Sequence, residues 1–169
     1  PKVKLIEADG RTFILGSAQP FDIIVSEPSN PWIAGIGNLY THEFYRDCRK
    51  KLNPDGIFLQ WCNLYALSQD DLKMVLRSFF SSFPHGEIWL GGGDLMLIGG
   101  PKPLLCKPER LREYWQQHPS LRLELAELGF LRPEEVLGQF ICNWDYAQPQ
   151  VGEGPRNSDD CPLLEYSAP

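Results

Sequence analysis

Short apolar runs alternate along this chain with segments whose apolar residues return every third or fourth position, the pattern of strands interleaved with helices. Val3 to Ala8 is β-branched and apolar and stops at Asp9-Gly10, which predicts a strand closed by a turn. Phe21 to Val25 is almost continuously apolar, as in a strand buried on both faces of a parallel sheet. Thr41 can cap a helix in which Phe44, Cys48 and Leu52 recur at four-residue spacing, ended by the turn Asn53-Pro54-Asp55-Gly56. Another buried strand is predicted from Gly56 to Trp61.

Ser68-Gln69-Asp70-Asp71 resembles a capping box, and Leu72, Val75, Leu76, Phe79, Phe80 and Phe83 after it form a helical stripe stopped by Pro84. Glu87 to Leu90 and Leu95 to Ile98 read as strands joined across Gly91-Gly92-Gly93-Asp94; no helix follows this glycine run, so it reads as a turn and not a phosphate loop. After Pro101 and Pro103 come helical segments at roughly Pro108 to Gln117, Leu121 to Leu128 and Pro133 to Cys142, then a polar tail and the compact NSDDCPLLEY. The order predicts an α/β fold with a sheet of parallel strands and one antiparallel member. Residues 1–100 read as the sheet-bearing part of a domain, and residues 101–169 as a helical extension and tail packing on it.

A chain of 169 residues suits one core, and 43% apolar with 22% charged residues is an ordinary globular composition. The net charge of -6 gives no general attraction to nucleic acid or anionic lipid, while a cationic small molecule would meet a favourable field. Five widely spaced cysteines without a CxxC pair or a nearby histidine argue for a reducing compartment and against a metal site. No apolar run approaches the length that spans a bilayer. A cytoplasmic setting is the resulting expectation. The start at PKVKLIEADG, without Met, suggests a cut N-terminus.

Ligands of open α/β sheets bind beyond the carboxyl ends of strands, so the residues there carry the candidate chemistry. Asp9 could accept a hydrogen bond from an exocyclic amine such as that of adenine, with Gly10 letting backbone approach; a solvated turn aspartate fits the spacing equally. In Ser26-Glu27-Pro28-Ser29-Asn30-Pro31-Trp32, two prolines stiffen a loop whose carboxylate, beside Trp32, is expected to be poorly solvated. At the third strand end, Gln60-Trp61-Cys62-Asn63, an amide and an aromatic, Gln60 and Trp61, could line the same pocket, although Trp61 alone reads as core. His42, His85 and His118 have no evident partners, and Cys62 reads as a buried thiol.

Taken in order, EADGR, FDIIVSEPSNPW, GIGNLYTHEFYRDCRKKLNPDGIFLQW and the closing NSDDCPLLEY resemble the spermidine synthase family of polyamine aminopropyltransferases, especially its bacterial spermidine synthase-like branch. The resemblance implies a class I S-adenosylmethionine-dependent methyltransferase fold, Rossmann-like, with a mostly parallel sheet ending in an antiparallel hairpin strand. It implies no permanently bound cofactor, decarboxylated S-adenosylmethionine (or S-adenosylmethionine) as co-substrate, and a small-molecule amine, a diamine such as putrescine, as acceptor. Asp9, Gly10 and Ser26 then fall on the donor side. Glu27 matches the first Asp of the family's catalytic D-S-S-D run and is the candidate base, and Asn30 matches the second. Asn30, Gln60 and Trp61 would contact the acceptor, with Asp159 or Asp160 restoring a negative charge if the tail folds over the pocket.

Asn30 departs from the family pattern, and no tyrosine occurs in Glu87 to Asp94 to match the one that members place after the long helix. The family's first two strands, with their glycine-rich donor turn, would lie before Pro1, and some members of the branch carry transmembrane helices ahead of the domain. The parent would then be a longer protein, this segment making no membrane contact itself, and a homodimer is compatible with the family. Alternatives on the same scaffold are a methyltransferase, because SNPW is similar to the Asn/Asp-Pro-Pro-aromatic loop of amino-methylating enzymes, and a non-catalytic binding domain.

Overall fold

Five strands form one open sheet in the order β1-β2-β4-β3-β5 in the computed structural model, which describes residues 3–104 and 107–167. The strands are β1 (Phe21–Ser26), β2 (Leu52–Cys62), β3 (Glu87–Gly91), β4 (Asp94–Gly99) and β5 (Phe140–Asn143). β1 pairs parallel with β2, while β2–β4, β4–β3 and β3–β5 are antiparallel. The chain is thus α/β with an antiparallel hairpin, but the sheet is mixed and not mostly parallel: among the described strands only β1–β2 pairs parallel, because the β3–β4 hairpin and the later strand β5 add antiparallel pairs alone.

Helix α2 (His42–Lys50) begins where Thr41 accepts the Phe44 amide (3.3 Å), and α3 (Gln69–Phe80) begins at a reciprocal box between Ser68 and Asp71. Both bury their apolar stripes on the sheet face that carries Ile24, Phe58 and Leu97. Phe58 stacks on Phe83 at 5.4 Å and meets Phe44, Tyr45 and Phe79 at ring separations of 5.9 to 6.1 Å, so aromatic packing forms the centre of the core. Gly92 and Gly93, with φ of 64° and 93°, make the β3–β4 turn in a conformation that suits glycine.

Four further expectations change. Val3 to Ala8 is not a strand: no described strand pairs with it, and Leu5 is 94% exposed. Asp9 and Gly10 are not a turn but the start of α1 (Gly10–Gly16), whose Thr12 amide the Asp9 carboxylate accepts at 2.7 Å. β1 is buried on one face only, with Ile23 63% and Val25 55% exposed, because it is the edge strand and the helices that carry the core cover the other face. Asn53 to Gly56 stays within β2 as an irregularity, where Phe21 faces Leu52 but Ile23 faces Ile57, and Asn53 donates to Asp22 at 2.6 Å.

Beyond residue 107, α4 (Pro108–Gln117) and α5 (Pro119–Glu127) lie where helices were predicted. The third helix, α6 (Pro133–Leu137), is short, and Phe140–Asn143 instead supplies the ladder that the outer edge of β3 requires. The polar tail contains α7 (Trp144–Val151) and α8 (Leu163–Ser167). No helix among the described residues is long and apolar enough to cross a membrane. Cys48, Cys62, Cys142 and Cys161 are free thiols, and Cys106 lies outside the described residues.

The segment NSDDCPLLEY is a clasp. Asn157, fully buried, donates its backbone N–H to Ser78 Oγ (2.9 Å) and its Nδ2 to the Gly37 carbonyl (2.9 Å), while its own oxygens accept from His42 N and Leu164 N. Next to it, the Asp159 carboxylate takes two bonds from the Arg11 guanidinium (2.9 and 2.6 Å) and one from the Thr41 hydroxyl (2.7 Å). Arg11 therefore holds the Asp159 carboxyl below the ordinary aspartate range.

A carboxylate whose folded pKa is depressed adds stability above its unfolded value, about 3.9, and loses it as the pH falls through the lower folded value. Asp159→Asn is expected to lower the Tm at neutral pH by a modest amount, since the pair is partly exposed. The difference from wild type should close as thermal melts are taken toward pH 2, on the order of two units below the unfolded pKa. A gap that stayed constant with pH would assign the loss to packing instead.

Candidate active site

Ser26 lies opposite Gln60 in the parallel β1–β2 ladder, so the chain leaves both strands at the same end of the sheet. The two following loops flank an open cavity of about 630 Å³ lined by Glu27, Pro28, Ser29, Asn30, Ile33, Trp61 and Tyr65. Pro28 and Pro31 restrict the first loop, and Pro31 is buried beneath it. The structure thus brings Glu27, Asn30 and Trp61 to one cavity. Glu27 is exposed, in place of the poorly solvated setting expected beside Trp32.

The second loop contributes a residue that sequence reasoning missed. Tyr65 stands two positions beyond the expected strand-end cluster, and its hydroxyl donates to Asn30 Oδ1 at 2.6 Å. Its ring meets Trp32 edge-on at 6.2 Å and 85°. Asn63 Nδ2 donates to the Tyr65 carbonyl (2.7 Å), Asp94 accepts the Leu64 amide (3.2 Å), and Ala66 is left-handed at φ 57°, so the loop is fixed on both sides of Tyr65. A positive φ at alanine is not legible in the sequence, and neither is a contact made over 35 residues.

Gln60 and Asn63 do not line the cavity. Successive strand residues point to opposite faces, so with Trp61 outward Gln60 must point into the core, where it is fully buried. Its Nε2 donates to the Trp61 carbonyl (2.9 Å), which also accepts the Tyr40 hydroxyl (3.3 Å). Gln60 Oε1, Asn63 Oδ1 and Tyr45 Oη are buried without a protein partner among the described residues. Gln60 is therefore a support for the Trp61 backbone, not a wall of the cavity.

The donor-side candidates are separate from the cavity lining. Asp9 is occupied by the α1 cap, and its hydrogen bonds with Thr12 hold its carboxyl below the ordinary range. A Cβ built on Gly10 would meet nothing within 4 Å, so backbone is open to approach there. Ser26 is half-buried at the end of β1. Asp159 is bound to Arg11 and Thr41, so it does not supply charge to the cavity, and Asp160 is exposed in the tail and absent from the lining.

A larger cleft of about 920 Å³ lies between α3 and α7, with Arg77, Trp144, Gln148 and Arg156 among its walls. Arg77 is already held by the Pro155 carbonyl (2.8 Å) and the Val151 carbonyl (3.3 Å), which makes this cleft part of the tail's docking. The smaller cavity is the candidate site, because it sits at the strand ends and is lined by a carboxylate with no ion-pair partner among the described residues. No group of three His, Cys, Asp or Glu residues suited to a metal occurs among the described residues.

Residues 1–88 match the family model for the spermine/spermidine synthase domain. The chain belongs to the spermine/spermidine synthase family. It is 39% identical over 72 residues to a polyamine aminopropyltransferase of Sodalis glossinidius, a match covering 43% of this chain and 25% of that relative. Its fold is similar to the crystal structure of a probable spermidine synthase from Corynebacterium glutamicum, with a TM-score of 0.64 and 18% identity over 94% of this chain and 55% of that one. A spermidine synthase in complex with the transition state analogue AdoDATO gives 0.54 and 21% over 68% and 40% of the two chains. The part matched to the spermine/spermidine synthase family contains the whole cavity lining and excludes Asp159 and Asp160.

Cys62 stands at the same strand end, but burial pushes its thiol up to about 12, so it is protonated at neutral pH and is not a nucleophile. Brief treatment of native protein with iodoacetamide at pH 7.5, a pH about one unit below the free-thiol value, should label exposed Cys161 and leave Cys62 unlabelled until denaturant is added. Peptide mapping checks this, and rapid native labelling of Cys62 would contradict the packing described.

Proposed function

We propose that this chain carries the acceptor side of an aminopropyltransferase, which moves an aminopropyl group from decarboxylated S-adenosylmethionine to an amine. Diamines such as putrescine are the first acceptors to test. The observation that supports this best is Glu27: a carboxylate on a proline-stiffened loop, facing a cavity at the carboxyl ends of two parallel strands, within the part of the chain that matches the family. The match spans a quarter of the curated relative, so the activity belongs to the complete polypeptide.

The chemistry requires such a group. An ammonium has no lone pair, so a proton must leave before nitrogen can attack the carbon next to the sulfonium. Glu27 takes that proton. The new C–N bond forms as the C–S bond breaks, its electron pair stays on sulfur, and the cationic sulfonium leaves as neutral methylthioadenosine. Trp61, Ile33 and Pro28 supply apolar walls for the acceptor's methylene chain, and the stiff loop holds base and nitrogen in line. On the donor side, Asp9 would offer its carboxylate to an exocyclic amine, with Gly10 leaving backbone open to approach and Ser26 at the end of β1 as a further donor-side candidate.

The complete polypeptide, given decarboxylated S-adenosylmethionine and a panel of amines, should release methylthioadenosine in step with an aminopropylated product. Glu27→Gln keeps the shape and removes the base, and should lower kcat/KM by about 100-fold or more. Absence of methylthioadenosine with every amine would sink the proposal. Tighter calorimetric binding of the carboxylated donor, with a methylated product, would point to methyl transfer instead.

A further inference from the structure

The hydrogen bond from Tyr65 to Asn30 bears on which amine the cavity takes. At 2.6 Å it falls within the O–H···O range and below the usual N–H···O range, so the phenol is the donor and the amide oxygen is the atom it holds. That orientation turns Asn30 Nδ2 away from Tyr65, and Nδ2 donates to no protein group among the described residues. The loop fixes Tyr65 through Asn63 and the Trp32 contact even though the residue is 57% exposed. The amide is therefore held with its N–H₂ group free.

Glu27 is the only charged side chain in the cavity lining, and no lysine, arginine or histidine is among those residues. Asn30 and Glu27 are three positions apart on a stiff loop, a span of at most about 11 Å, so one small acceptor can reach both. A second ammonium beside Asn30 would bring three donors to an amide whose oxygen has already taken one bond and whose nitrogen offers donors of its own. A carboxylate there would meet no cation and would face Glu27. A neutral oxygen, as in a hydroxyl or an amide carbonyl, pairs with Nδ2 without either cost.

We infer that Asn30, oriented by Tyr65, reads the far end of the acceptor as a neutral hydrogen-bonding oxygen, so that the preferred acceptor is an amino alcohol or amino amide and not a diamine. This rests on the aminopropyl-transfer reading and deepens it. Tyr65 is a positioning residue acting through Asn30, and Glu27 remains the group that handles the proton.

The test compares putrescine with the analogue in which one amine is replaced by a hydroxyl, using the complete polypeptide and decarboxylated S-adenosylmethionine. Wild type should favour the amino alcohol in kcat/KM by about tenfold, the scale of one unpaired polar contact. Tyr65→Phe keeps the ring against Trp32 but frees the amide to rotate, and should shrink that ratio toward unity. Asn30→Asp replaces the donor with a second carboxylate and should reverse the ratio in favour of putrescine. A wild-type preference for putrescine, or a ratio unmoved by Tyr65→Phe, overturns the inference while leaving aminopropyl transfer intact. If no amine yields methylthioadenosine, the transfer reading fails separately. Calorimetry with the same two ligands then decides the inference: tighter binding of the amino alcohol, weakened in Tyr65→Phe, upholds it, and equal or tighter binding of putrescine overturns it.

Discussion

Asn157 is the constraint on which the rest of the arrangement depends. Its backbone and side chain each donate and accept once, reaching α3 through Ser78, the start of α2 through His42, α8 through Leu164 and the short helical turn Gly37–Tyr40 through Gly37. A buried polar group left without a partner costs about 1–3 kcal/mol, so the four contacts hold as a set or fail as a set. Gly37 lies under the cavity loop: a Cβ there would stand 3.2 Å from the Pro31 carbonyl and 3.5 Å from Glu165. The tail thus bears on the loop that presents Glu27 and Asn30 from behind, although it contributes no residue to the cavity.

The second determinant is the alternation of β2. Phe58, Gln60 and Cys62 point inward, while Trp61 points to the strand-end cavity. An inward glutamine in an aromatic core is costly unless bonded, and its bond to the Trp61 carbonyl fixes the backbone of the residue that forms the cavity wall. The packed side of the sheet and the strand-end cavity are coupled through this one carbonyl, which Tyr40 also reaches from the core.

Local signals were legible where the interaction that decides them is itself local. The Ser68 box, the Thr41 cap and the paired glycines of the β3–β4 turn each involve residues within a few positions, and each element starts or turns where the sequence predicts it, although the helix capped by Thr41 ends at Lys50 and Leu52, expected on its stripe, opens β2. Val3 to Ala8 and Phe140 to Asn143 fail in opposite directions for one reason: a strand exists only where another strand's edge is available to it, and composition does not say where that is. Glu27, Asn30 and Trp61 could be placed in one site because parallel strands bring their carboxyl ends together. Gln60 was misplaced because period-two alternation excludes neighbours from sharing a face, and Asp159 because its partner Arg11 lies 148 residues away.

The cavity departs in charge from the paired carboxylates that the family resemblance implies. Two carboxylates three residues apart would hold two cationic groups, or one held and one being deprotonated; a single carboxylate with an oriented amide divides those tasks differently. In the proposed reaction Glu27 would act on the reacting nitrogen alone, since no second carboxylate lines the cavity to compete for the ammonium. The bond from Tyr65 then gives the neutral position a direction, because an amide free to rotate would offer oxygen and nitrogen alike, whereas a pinned one offers a single kind of contact. Under the proposed reading, selectivity at the far end of the acceptor would rest on a phenol in the loop after β2, which reaches the first loop through the only side-chain hydrogen bond that joins the two walls among the described residues.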